Sequence, residues 1–164
     1  MPRKDFRPCP RIPEVPSRRG QIEMSDEEVS AFLDEQMVMQ CATNGPRGLP
    51  HMVPLWFVPE LRSWTYAKSQ KARNLERDPH ATLGIEEGVQ YHELRGVMFE
   101  CDVQIERDQS EVEKFGLELF ARYAGELTDE IRAMVAQQAQ KRVGLTFRPT
   151  RTVSWDHRKL HGTY

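Results

Sequence analysis

The sequence predicts a mainly β protein with inserted helices, an antiparallel barrel of mixed class. Three observations carry this. Short apolar runs, several of them alternating, recur along the chain and are mostly joined by turns rich in Gly, Pro or Asn. Segments of helical period are few, and each opens on a capping residue. Strands follow one another without a helix after each, the pattern of an antiparallel sheet rather than of βαβ units.

Residues 1–20 hold Pro2, Pro8, Pro10, Pro13 and Pro16 among Arg and Lys, a composition that blocks helix and ladder, so an extended arm is expected there, with one domain over 21–164. Ser25 with Glu28 three residues on forms a capping box, and Val29, Phe32, Leu33 and Met37 repeat at helical spacing. Residues 37–43 read as a strand closed by the turn Asn44-Gly45-Pro46-Arg47-Gly48. Strands follow at 52–58 and 63–67, with a turn at 59–62 between them. A short helix over 69–78 ends at Pro79. Residues 81–86 and 96–105 are strands either side of the tight turn Glu87-Gly88. Ser110, with Glu113 in the capping-box place, is expected to cap a helix whose apolar face is Val112, Phe115, Leu119 and Phe120. Thr128 caps the next, with Asp129 and Glu130 favourable to its dipole. Strands at 143–147 and 152–155 are expected on either side of Arg148-Pro149.

Composition excludes several classes. The net charge is −2, so acidic and basic groups nearly cancel and give no general attraction for nucleic acid. Apolar runs such as Leu55-Trp56-Phe57-Val58 are far too short to span a bilayer, and the basic start lacks the apolar core of a secretory signal. A cytoplasmic protein with no membrane or nucleic-acid partner is expected. Cys9, Cys41 and Cys101 suit neither a disulfide framework nor a zinc site; Cys41 and Cys101 read as core, and Cys9 as inert. His51, His80, His92, His157 and His161 show no metal-like pairing, so no metal is expected.

The most informative stretch is W-T-Y-A-K-S-Q-K-A-R-N-L-E-R-D-P over 64–79. A strand runs into a helix with Ser69 as N-cap and Lys68, Lys71 and Arg73 around its start. Free amides and partial positive charge make such a terminus an anion site, and the lysines and hydroxyl would complete a phosphate cradle. The same pattern is also compatible with a plainly solvated surface.

Position in the chain weighs for the cradle. The ordered blocks G-P-R-G-L-P-H-M-V-P-L-W-F-V, S-Q-K-A-R-N-L-E-R-D-P, L-R-G-V-M and V-S-W-D-H-R-K-L, spread from residue 21 to the C-terminus, resemble the pyridoxamine 5'-phosphate oxidase-like family of flavin and deazaflavin proteins. The resemblance implies a six- to seven-stranded antiparallel split β-barrel with peripheral helices. It implies a homodimer with cofactor sites in the grooves between subunits. By resemblance Ser69, Gln70 and Lys71 contact the cofactor phosphate, with Lys68 and Asn74 close by. Met52, Val53, Pro54, Leu55 and Trp56 line the isoalloxazine-type ring, partly through backbone groups, and Thr65, Tyr66 and Ala67 continue that wall. Trp155, with Arg158 and Lys159, is implied to reach the site from the partner chain.

Two departures narrow the choice. The pyridoxamine-phosphate oxidases proper carry an arginine for the FMN phosphate where this chain has Val53, and H-R-K-L-H-G-T-Y lacks their substrate-phosphate arginines. The blocks look more like the branch using the deazaflavin coenzyme F420, whose polyglutamate tail suits a basic rim of Lys68, Lys71, Arg73 and the basic arm. The implied function is hydride transfer between that coenzyme and a small conjugated substrate, with Tyr66 or His51 as the proton donor if one is needed. The alternatives are an FMN-binding oxidoreductase, or a non-catalytic carrier of cofactor, haem or tetrapyrrole in the same groove.

Overall fold

The computed structural model describes residues 19–161. Most of the expected arm, Cys9 included, lies outside them; its last two residues, Arg19 and Gly20, are not extended but open a one-turn helix, α1 (Arg19–Ile22). Helix α2 (Asp26–Glu35) begins on the expected capping box: Ser25 Oγ accepts the Glu28 amide at 3.3 Å, and Glu28 Oε2 accepts the Ser25 amide at 2.7 Å. Phe32 and Leu33 are its buried face. Met37 falls beyond its end.

Six strands form one antiparallel sheet: β1 (Val38–Asn44), β2 (Pro50–Trp56), β3 (Arg62–Tyr66), β4 (His80–Glu87), β5 (Arg95–Glu106) and β6 (Arg142–Asp156). Their order is β2-β1-β4-β5-β6-β3. The sheet curls into a half-barrel, so the fold is the split barrel that the sequence implied. Its inner face buries Met39, Cys41, Leu83, Ile85, Val97, Phe99, Leu145 and Phe147. The alternation that made these segments legible is seen in β1, where Met39, Cys41 and Thr43 are buried while Val38 and Gln40 are exposed.

Helices α4 (Gln109–Ala124) and α5 (Asp129–Ala139) cover the outer face of β3 and β6, where Trp64, Val112, Phe115, Leu119, Val135 and Ala139 make a second apolar cluster. Thr128 caps α5 as expected. Ser110 does not cap α4. The cap is Asp108, whose carboxylate accepts the Ser110 amide at 3.0 Å and the Glu111 amide at 3.2 Å. A charged acceptor serving two amides at the positive end of the helix dipole outcompetes a hydroxyl.

Arg148-Pro149 does not divide two strands; β6 runs through it. The register of β5 against β6 shifts between Glu100 and Cys101, and Pro149 sits opposite Cys101 at that irregularity. A bulge is where a ladder tolerates a residue with no amide donor. Among the described residues no helix is long and apolar enough to cross a membrane.

Candidate functional site

The outermost strands of the sheet, β2 and β3, face each other across the split. Ser63 Oγ donates to the Trp56 carbonyl at 2.7 Å, and a bridge pairs Val58 with Arg62. Each strand has a neighbour on one side only, so each offers a row of backbone donors and acceptors on the other.

Strand β3 leads into helix α3 (Gln70–Arg77). Ser69 is its N-cap, accepting the Ala72 amide at 3.2 Å, as the sequence predicts. The Gln70 and Lys71 amides are among those a helix start leaves without an intrahelical acceptor. Asn74 is fully buried: its amide donates to Thr43 Oγ1 at 3.0 Å, and its carbonyl accepts from Gln70 Nε2 at 2.8 Å. It therefore fixes α3 against β1 and orients Gln70.

Lys71 is 7% exposed, although a lysine is almost never buried unless paired. Its ammonium donates to Thr65 Oγ1 at 2.6 Å, and Thr65 Oγ1 in turn shares a hydrogen bond with Ser69 Oγ at 3.3 Å. No carboxylate pairs with it among the described residues. Burial pushes its pKa below the ordinary lysine value, and the Arg142 charge pushes the same way. The nearby Cys41 thiol is no counterion, since burial pushes it up to about 11 and keeps it neutral. A buried cation with donors to spare, beside free helix amides, fits an anionic group. Lys68, Gln70 and Arg73 are exposed around it.

On β2, Met52, Pro54 and Trp56 are exposed on the outer face, while Val53 and Leu55 turn inward. Val53 lies opposite Cys41 and Leu55 opposite Met39. Val53 thus occupies an inward position, and only its backbone is offered to the edge. The Trp56 indole stacks on the Tyr123 ring, with centroids 4.2 Å apart and 14° between planes. Tyr123 in turn donates to the Met37 carbonyl and accepts the Phe57 amide at 3.0 Å, which fixes the indole. Thr65 is buried, Ala67 packs against the core and Tyr66 is exposed. A cleft of about 220 Å³ lies in the split, walled by Trp56, Trp64 and Phe120 and lined also by Gln138 and Arg142. Gln70 and His51 line another of about 460 Å³, with Arg47 on its wall. His51 Nδ1 is buried there without a partner.

The last three candidates lie elsewhere. Trp155 packs on Gly96 at the other end of β6, so close that a Cβ at Gly96 would lie 2.5 Å from Trp155 Cζ2. Arg158 makes a fork to both Asp156 carboxylate oxygens, and Lys159 bonds the Glu23 carbonyl at 2.7 Å and Glu28 at 2.5 Å. One chain does not bring them to Lys71. Sequence reasoning missed Tyr123, Arg47 and Arg142. Arg47 was visible in the turn it occupies, but the other two gain their positions from contacts distant in sequence.

The open slit, the half-barrel and the cation at a helix start define a split-barrel protein of the cofactor-binding kind. The chain belongs to the pyridoxamine 5'-phosphate oxidase family, whose model matches residues 25–156. The conserved hypothetical protein Rv2991 of Mycobacterium tuberculosis is 40% identical and superposes with a TM-score of 0.83, covering 90% of this chain and 94% of its own. An F420 reductase is 27% identical with a TM-score of 0.61, covering 75% of this chain and 94% of its own. The haem storage protein HutZ of Vibrio cholerae, 22% identical with a TM-score of 0.62 over 79% of this chain and 94% of its own, shares the fold. No curated protein matches the chain.

Proposed function

We propose that this protein is a homodimeric oxidoreductase that binds the deazaflavin coenzyme F420 and passes a hydride between it and a small conjugated molecule. The observation that carries the reading is Lys71, an ammonium buried at the start of α3 with no counterion among the described residues. Lys71, the Ser69 hydroxyl and the free amides of Gln70 and Lys71 would hold the coenzyme phosphate. Exposed Lys68, Arg73 and Arg47 supply further cations for a polyanionic tail. Likeness to an F420 reductase, and a valine at position 53 where the pyridoxamine-phosphate oxidases proper carry an arginine, favour the deazaflavin over FMN.

The coenzyme supplies the hydride-carrying carbon. The chain's own part is to bind and orient: backbone along β2 and β3 offers donors and acceptors to a ring edge, and Trp56, held by Tyr123, walls the split against water. Tyr66 on β3 and His51 on β2 are side chains that could carry a proton there.

Side-by-side titration of the purified protein with F420 and FMN tests the reading. Tighter binding of F420, weakened tenfold or more by Lys71→Ala, is expected. Tighter FMN binding would overturn the deazaflavin assignment, and an unchanged affinity in the variant would overturn the cradle. Turnover is read separately, as oxidation of reduced F420 by an added enone or quinone. Binding without turnover on any acceptor points to a carrier.

A further inference from the structure

Of the half-buried arginines, Arg62 and Arg95 each pair with a carboxylate, and Arg122 donates to the Leu33, Asp34 and Gln36 carbonyls. Arg142 has neither a carboxylate nor a set of carbonyls as its partner among the described residues. Its guanidinium lies 4.4 Å from the Trp64 ring centroid and 4.3 Å from that of Tyr66, and Nη2 donates to the neutral Gln138 at 3.0 Å. Nε is buried without a partner. Burial lowers its pKa, yet an arginine remains charged at any ordinary pH. The outcome is a fixed, flat, permanently charged fork with donors to spare in the lining of the aromatic cleft.

We infer that the Trp56–Trp64 cleft takes a planar conjugated monocarboxylate, with Arg142 as the anchor of its carboxylate. This rests on the proposed function in one respect, that the cleft is the substrate side of the split. The chemistry follows from three features. Aromatic walls formed by Trp56, Trp64 and Phe120 favour a flat, π-bearing body. A volume of about 220 Å³ falls below the ~300 Å³ at which drug-sized pockets begin, which limits the occupant to about one ring and a short chain. A single guanidinium balances one negative charge, and its planar edge matches the two oxygens of a carboxylate. A phosphate dianion would need a second cation, and among the described residues Arg142 is the one cationic side chain in the lining of this cleft.

The test uses the full chain without coenzyme and reads tryptophan fluorescence, since Trp56 and Trp64 wall the cleft. The probes are cinnamate, cinnamyl alcohol and phenyl phosphate. Wild-type protein is expected to bind cinnamate at least tenfold more tightly than the alcohol, and more tightly than phenyl phosphate. Arg142→Gln is expected to erase the preference for cinnamate over the alcohol, and Arg142→Lys, which keeps the charge and loses the fork, to retain part of it. Equal wild-type affinity for cinnamate and the alcohol overturns the inference without recourse to any variant, so a poorly folding Arg142→Gln does not protect it. A preference for phenyl phosphate overturns the monocarboxylate assignment, and a preference that survives in Arg142→Gln overturns the assignment to Arg142. Coenzyme titration is a separate measurement, so loss of the F420 reading and loss of this one are told apart.

Discussion

Lys71 sets a conflict between stability and binding. With its pKa held below the usual 10.5 by burial, the protonated side chain is costlier in the folded chain than in the unfolded one. The sign follows: without ligand, this residue's contribution to stability improves as pH rises from its lowered folded value toward 10.5. Lys71→Met keeps the stem volume and removes the charge, so the ligand-free variant is expected to be more stable by about 1 kcal/mol, roughly 2–4 °C in a domain of this size. The same change is expected to cost tenfold or more in coenzyme affinity. In the wild type, affinity for a phosphate-bearing ligand is full below the lowered pKa and falls as pH rises through it. Thermal melts of both proteins, with ligand titrations across pH, check this; a less stable variant with intact affinity would show that Lys71 serves the fold. Ser69 and Lys71 were legible in the sequence because an N-cap and its cations are local signals. Arg142 was not, because its stacking on Trp64 and Tyr66 needs the pairing of β3 with β6, which joins Tyr66 to Arg142 across the chain.

At the level of elements, the cleft depends on how closely α4 approaches β3. Gly116 allows that approach: a Cβ there would lie 2.6 Å from Trp64 Cζ3 and 2.7 Å from Val135 Cγ1. Alanine would bring about 1 kcal/mol of helix propensity, against about 1–3 kcal/mol for forcing a methyl into a packed core. Packing wins where both neighbours are held, as Trp64 is under the Arg142 guanidinium. Gly116→Ala is therefore expected to lower the melting temperature by a few degrees and to shift tryptophan emission as the indole moves. A rise in melting temperature with unchanged emission would mean that α4 simply lifts away. The sequence marks α4 by its apolar period, but nothing local marks Gly116 as the contact, nor the passage of β6 through Pro149. Each is decided by the strand or helix across from it.

For the whole molecule, the split barrel leaves an apolar outer face on β1 and β2. Val38, Met52 and Trp56 are 45%, 65% and 50% exposed, and Val38 lies directly opposite Trp56 in the ladder. Exposed large side chains grouped on one sheet face mark an interaction surface, and small neighbours such as Ala42 and Gly84 let a second sheet come close. In the proposed dimer Trp155 would reach the slit from the other chain, since it lies at the opposite end of β6 from Arg142. The dimer is an expectation from the family resemblance, since composition and periodicity alone carry no quaternary information. Val38→Lys places a charge on that face opposite Trp56 and leaves the Ser69–Lys71 cradle on α3 unchanged. The wild type is expected to run at twice the 19.1 kDa chain mass by light scattering, and the variant to fall toward the single-chain mass. Coenzyme affinity is expected to fall with the dimer, since half of each groove would leave with the partner. A wild type that runs as one chain would remove the dimer from the proposal. A variant that dissociates yet binds the coenzyme as before would place the whole site within one chain, around Lys71 and the β2–β3 slit.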